Sequence, residues 1–84
     1  MQVRVKLFAA AREIVGHGEV AIELKEGSTV GDLMDGIFGR YPGLKEMAGA
    51  LVFAVNRELA ERSMDLQDGD EVGVIPPVSG GTDV

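Results

Sequence analysis

One stretch of this sequence carries a sustained helical stripe, and the rest of the chain has to be arranged around it. Val30, Leu33, Met34, Ile37, Phe38 and Tyr41 recur at spacings of three and four, which puts them on one face of a helix. Thr29, with Asp32 three residues on, resembles a capping box at its start, Asp replacing the usual Glu or Gln. Tyr41-Pro42-Gly43 ends it. Gly31, Gly36 and Gly39 lie inside this helix, and each costs it about 1 kcal/mol relative to alanine. Either packing of the stripe compensates, or a close helix–sheet approach requires small residues there.

The flanking segments read mainly as strands. Val3, Val5 and Leu7 alternate with Gln2, Arg4 and Lys6, the period of a half-buried strand, and Phe8 falls on its polar face. Ala9 to Val15 reads as a short helix stopped by Gly16, and Gly16-His17-Gly18 turns the chain. Glu19 to Leu24 alternates again, with Val20, Ile22 and Leu24 on one face. After an irregular helical turn over Leu44 to Gly49, the apolar run Leu51 to Val55 suits a strand covered on both faces, with Phe53 toward the helix. Asn56-Arg57-Glu58 turns the chain, Leu59 to Leu66 is mixed, and Gln67-Asp68-Gly69-Asp70 is a strong turn before the strand Glu71 to Ile75, which Pro76 closes.

This order predicts an α+β domain of the β-grasp (ubiquitin-like) arrangement, a mixed sheet packed on one main helix. Two strands cross the helix before the last two pair. The chain has 84 residues, and one this short buries only about 60% of its unfolded surface, so residues 1–75 form a single domain. Residues 76–84 are read as a tail.

Fourteen acidic and eight basic residues give a net charge of −6, which repels phosphate backbones and anionic lipid. With no basic patch to override it, neither nucleic acid nor membrane is an expected partner. No apolar run approaches the roughly 20 residues needed to span a bilayer, and the chain is read as cytoplasmic. The sequence has no cysteine, which excludes disulfides, thiolate metal sites and cysteine nucleophiles. His17 sits between two glycines with no second histidine, and reads as a solvated turn residue. Asp68, Asp70 and Glu71 surround one glycine, which is turn chemistry before it is a cation site. No paired acid–base, metal or nucleophile constellation is present, so no catalytic side chain and no metal site are assigned.

The functional signal lies in Pro76-Pro77-Val78-Ser79-Gly80-Gly81. Two prolines stiffen the exit from the domain, and two glycines give a main chain without Cβ atoms that fits a narrow channel. Six extended residues reach roughly 20 Å. Ordering them costs about 6–12 kcal/mol, so a docking face on the domain has to contribute most of the binding. Phe8 on the outer face of the first strand and Ile75 beside the tail exit are candidates for that face, with Leu59 a further one. Arg12 beside Glu13 reads as a solvated pair at a helix end.

Phe8-Ala9-Ala10-Ala11-Arg12-Glu13-Ile14-Val15-Gly16, Thr29-Val30-Gly31-Asp32-Leu33, Ala54-Val55-Asn56, Asp68-Gly69-Asp70-Glu71-Val72 and the Pro-Pro-Val-Ser-Gly-Gly tail line up together with one family. Over residues 3–81 the chain resembles the small subunit of molybdopterin synthase, the MoaD group of the MoaD/ThiS ubiquitin-like sulfur carriers. The resemblance implies that an E1-like (MoeB-like) adenylyltransferase, with ATP and Mg²⁺ on that partner, activates the carboxylate of Gly81, and that sulfur then replaces AMP to give a thiocarboxylate. It implies that the tail, Pro76 to Gly81, enters the large (MoaE-like) synthase subunit and donates sulfur to the pterin precursor of the molybdenum cofactor. Phe8, Arg12, Leu59 and Ile75 match the interface of that family.

Thr82-Asp83-Val84 departs from the pattern, because a peptide bond after Gly81 blocks the carboxylate. Either a processing protease removes residues 82–84, and is then an expected partner, or the chain in this form is not a working sulfur carrier. The alternative reading is a ubiquitin-like modifier, or a carrier for another pathway such as tRNA thiolation or cysteine synthesis.

Overall fold

The computed structural model describes residues 1–76. The elements run β1 (Gln2–Leu7), α1 (Ala9–Val15), β2 (Glu19–Glu23), α2 (Val30–Arg40), α3 (Pro42–Lys45), a 3-10 turn over Ala48–Ala50, β3 (Val52–Val55), β4 (Glu58–Leu59) and β5 (Glu71–Ile75). The five strands form one mixed sheet in the order β2-β1-β5-β3-β4. β1 pairs parallel with β5, and the other pairings are antiparallel. This is the expected β-grasp, with the first and last of these strands side by side at its centre.

The alternation read from the sequence sets the two faces of the sheet. Val3, Val5 and Leu7 of β1, Ile22 of β2, Phe53 and Val55 of β3, and Val72 and Val74 of β5 are buried in one core with Val30, Leu33 and Ile37 of α2. Ala11 of α1, Leu44 of α3 and Leu66 complete it. Met34, Phe38 and Tyr41, the remainder of the predicted stripe, are only half-buried, so Met34 is a rim residue and not the core residue its spacing suggested. The run Leu51 to Val55 is likewise not covered on both faces, because Val52 is exposed on the side away from α2.

The start of α2 explains one of its glycines. Thr29 and Asp32 form the capping box: Asp32 N–H donates to Thr29 Oγ1 at 3.2 Å, and Thr29 N–H to Asp32 Oδ2 at 2.9 Å. Two further N–H groups of the first turn donate to a crossing loop, Val30 to the Met64 carbonyl and Gly31 to the Arg62 carbonyl, both at 2.9 Å. A Cβ on Gly31 would stand 3.2 Å from that carbonyl oxygen, so the glycine admits a loop and not the sheet. A Cβ on Gly36 or Gly39 would meet nothing within 4 Å.

The expected turn Asn56-Arg57-Glu58 is shorter than read. Val55 and Glu58 pair across the two-residue loop Asn56-Arg57, and Ala54 pairs with Leu59, which makes Glu58–Leu59 an edge strand. Asn56 and Arg57 have φ of 50 and 74, the left-handed pair of a type I′ hairpin turn.

Candidate functional site

The face of the sheet away from α2 is divided along its width. On β2 and β1 it carries Glu19, Glu23, Gln2, Arg4 and Lys6; on β5, β3 and β4 it turns apolar. The register makes the division continuous, since Glu19 pairs with Lys6, Lys6 with Gly73, Gly73 with Ala54 and Ala54 with Leu59. Arg4 and Lys6 both reach Glu71 Oε1, at 3.6 and 3.8 Å, and close the polar half.

Phe8, Ile75, Val52 and Leu59 occupy the apolar half. Phe8 follows β1 and extends its pairing, its N–H donating to the Val74 carbonyl at 3.3 Å. Its ring comes to rest over Gly73, where a Cβ would be 3.4 Å from Phe8 Cε2 and 3.9 Å from Ile75 Cδ1. The chain then enters α1 through Ala9 at φ 49, a left-handed conformation that costs a residue with a Cβ about 1 kcal/mol. Ile75 pairs with Val52. Leu59, at the sheet edge, is 80% exposed, against 47% for Phe8 and 41% for Val52. Exposed apolar side chains concentrated on one half of one face make it the candidate interaction surface.

Three of the four residues singled out from the sequence therefore share this surface: Phe8, Leu59 and Ile75. Arg12 is an exposed residue one helical turn beyond Phe8, and its guanidinium lies against Gly18, where a Cβ would be 3.4 Å from Nε. Sequence reasoning missed Val52 and Gly73. A glycine inside a strand signals a close approach, here that of the Phe8 ring, and Val52 shares the parity of Ala54, not that of Phe53.

Pro76 ends the described residues and is buried against the domain. The remaining tail residues assigned from the sequence, Pro77, Val78, Ser79, Gly80 and Gly81, lie outside the described residues. The strand that leads to them is held from both sides. β5 pairs with β1 from Arg4↔Glu71 to Leu7↔Val74, and with β3 from Val52↔Ile75 to Val55↔Val72.

The acidic turn before β5 uses its carboxylates on the chain itself. Gln2 N–H donates to Asp68 Oδ1 at 2.7 Å, Gln67 N–H to Asp70 Oδ2 at 2.8 Å and Asn56 Nδ2 to Asp70 Oδ1 at 3.0 Å. Asn56 Oδ1 accepts from Glu71 N–H at 3.1 Å, which ties the β3–β4 hairpin to the start of β5. Among the described residues no group of three or more His, Cys, Asp or Glu side chains is placed to hold a metal ion. Among the same residues no helix is long and apolar enough to cross a membrane.

Residues 5–81 match the ThiS family. The molybdopterin synthase sulfur carrier subunit of Chlamydomonas reinhardtii is 43% identical, over 96% of this chain and all of its own length. Small archaeal modifier protein 1 of Haloferax volcanii is 33% identical, over 90% of this chain and 97% of its own length. Its crystal structure superposes with a TM-score of 0.89 at 30% identity, covering 96% of this chain and 100% of that one. A chain from the complex of subunits 1 and 2 of the molybdopterin-converting factor of Helicobacter pylori superposes with a TM-score of 0.71 at 29% identity, covering 96% and 100%.

Proposed function

This chain is a member of the ThiS family, and on that premise we propose that it is the sulfur carrier subunit of molybdopterin synthase, acting in molybdenum cofactor biosynthesis. The observation that carries this reading is the similarity over whole chains to a curated sulfur carrier subunit, joined to a Gly80-Gly81 end where the family match itself stops. The chain acts as co-substrate. A carboxylate at neutral pH resists nucleophiles, so an E1-like partner holding ATP and Mg²⁺ converts the Gly81 carboxylate to an acyl-adenylate with release of pyrophosphate. Hydrosulfide attacks the acyl carbon and displaces AMP, which leaves a thiocarboxylate and a proton.

The apolar half of the outer face docks on the large subunit, and the tail from Pro76 to Gly81 delivers sulfur to the pterin precursor in that subunit's active site. Phe8, Leu59 and Ile75 carry the docking, and Arg12 contacts the partner from the end of α1. Division of labour follows from chemistry: glycines pass a channel but supply little contact area, while exposed apolar side chains on a rigid sheet supply it. Thr82-Asp83-Val84 is removed by a protease before activation, because their peptide bond occupies the reacting carboxyl.

Intact mass of the chain recovered from its own cells, before and after incubation with ATP, the E1-like enzyme and a sulfur donor, tests this. A chain ending at Gly81 that gains the mass difference between sulfur and oxygen is the expected result. A chain that keeps Val84 and gains neither AMP nor sulfur overturns it. The likeness to small archaeal modifier protein 1 favours one second reading, a modifier joined through Gly81 to lysines of other proteins. Isopeptide-linked Gly81 in digests of those cells would support that reading.

A further inference from the structure

The apolar half of the outer face does not stop at β4. A groove of about 360 Å³ opens around the edge of the sheet, between Met34 of α2 and the β3–β4 hairpin. Leu51, Val52, Leu59 and Ala60 give it an apolar wall, and Glu61 and Arg62 form its rim. Val52 and Leu59 belong to both the groove and the outer face, so the two surfaces are one continuous strip bent around a two-residue strand.

The rim charges differ in what they have available. Arg62 Nη2 is 3.2 Å from Asp35 Oδ1. Glu61, also exposed, makes no ion pair among the described residues, on a chain whose net charge is −6. A second copy of this chain would bring further negative charge to that rim; a basic partner segment would be attracted to it.

We propose that the large subunit wraps around the β4 edge and seats one aliphatic or aromatic side chain in this groove, with a lysine or arginine beside it facing Glu61. This rests on the sulfur-carrier reading and extends its interface beyond the sheet face. The groove is the anchor pocket and Glu61 the rim charge. A side chain buried in a pocket at an interface carries a large share of binding energy, while a rim charge acts chiefly on association rate and its salt dependence.

The test is titration of the purified large subunit with the full-length chain, comparing Ala60→Phe, which fills the groove, Glu61→Lys, which reverses the rim charge, and Glu23→Lys on the polar half as control. Expected are a loss of at least about tenfold for Ala60→Phe, a loss of about threefold for Glu61→Lys that shrinks with added salt, and affinity within about twofold of wild type for Glu23→Lys. Should Ala60→Phe fail to fold, Glu61→Lys and its salt dependence decide alone. Wild-type affinity for both test variants overturns the groove proposal and leaves the carrier reading intact. A wild-type chain that binds the large subunit neither at full length nor when ended at Gly81 overturns both. A homodimer that Ala60→Phe disrupts would assign the groove to a second copy and overturn the proposal.

Discussion

The ring of Phe8 rests on Gly73, so that a Cβ at position 73 would be 3.4 Å from Phe8 Cε2. The contact links the residue after β1 to the middle of β5, and it holds an aromatic ring half in solvent at the centre of the apolar strip. A glycine in a strand interior forgoes side-chain packing and adds backbone entropy to the unfolded state, which weakens the strand. Here that weakness makes room for the ring.

Replacing Gly73 with valine should separate folding from recognition. The branched side chain takes the space under the ring and displaces Phe8, while its strand propensity offsets the lost contact to within about 1 kcal/mol. Affinity for the large subunit is expected to fall at least about tenfold, because the displaced group is a central aromatic. Chemical denaturation and calorimetric titration of the same variant read the two quantities. Unchanged affinity would remove Phe8 from the docking surface.

Gly31 and Gly36 sit in the same helix and should respond to alanine with opposite sign. At Gly36 the Cβ meets nothing and the site is exposed, so Gly36→Ala stabilises by about 0.5–1 kcal/mol. At Gly31 the Cβ crowds Arg62 and strains the hydrogen bond from the Gly31 N–H to the Arg62 carbonyl, so Gly31→Ala destabilises by about 1–3 kcal/mol. Urea midpoints at constant slope are the measurement. A stabilised Gly31→Ala would mean that the crossing loop is not held as described.

Arg57 has φ 74 at the second position of a two-residue turn, where glycine is the preferred residue. Arg57→Gly relieves the steric cost of a left-handed residue, less the entropy that glycine adds to the unfolded chain. A net gain of about 0.5–1 kcal/mol is expected. For a domain of this size, that corresponds to a rise in Tm of about 2–8 °C. Arg57→Pro, unable to adopt positive φ, should lower Tm and shift the β4 resonances.

The same turn shows why part of the architecture escaped a reading of the sequence. β1, β2, α1, α2 and β5 were legible because their apolar residues keep a period of two or of 3.6, bounded by glycine or proline. β4 has only Glu58 and Leu59, too few for a period, and its turn Asn56-Arg57 lacks the glycine that marks a hairpin. Strand parity puts Phe8 on the outer face, and nearness to the tail exit singles out Ile75. Their meeting over Gly73 depends on the parallel register of β1 with β5, a pairing between distant segments that no local pattern encodes. Met34 keeps the helical spacing of the core residues Val30, Leu33 and Ile37 but is only half-buried, and lines the groove instead.

The flanking of β5 by β1 and β3 has a mechanical consequence. A partner that draws the tail into a channel pulls along β5 through Ile75. Two ladders, one parallel and one antiparallel, take that load in shear at several backbone bonds together, so no single bond is peeled first. A strand at the sheet edge would instead unzip from one side. β5 thus leads to the tail from the place in the sheet where lengthwise tension is resisted most, and under the proposed function a pull on it would be shared by the whole domain.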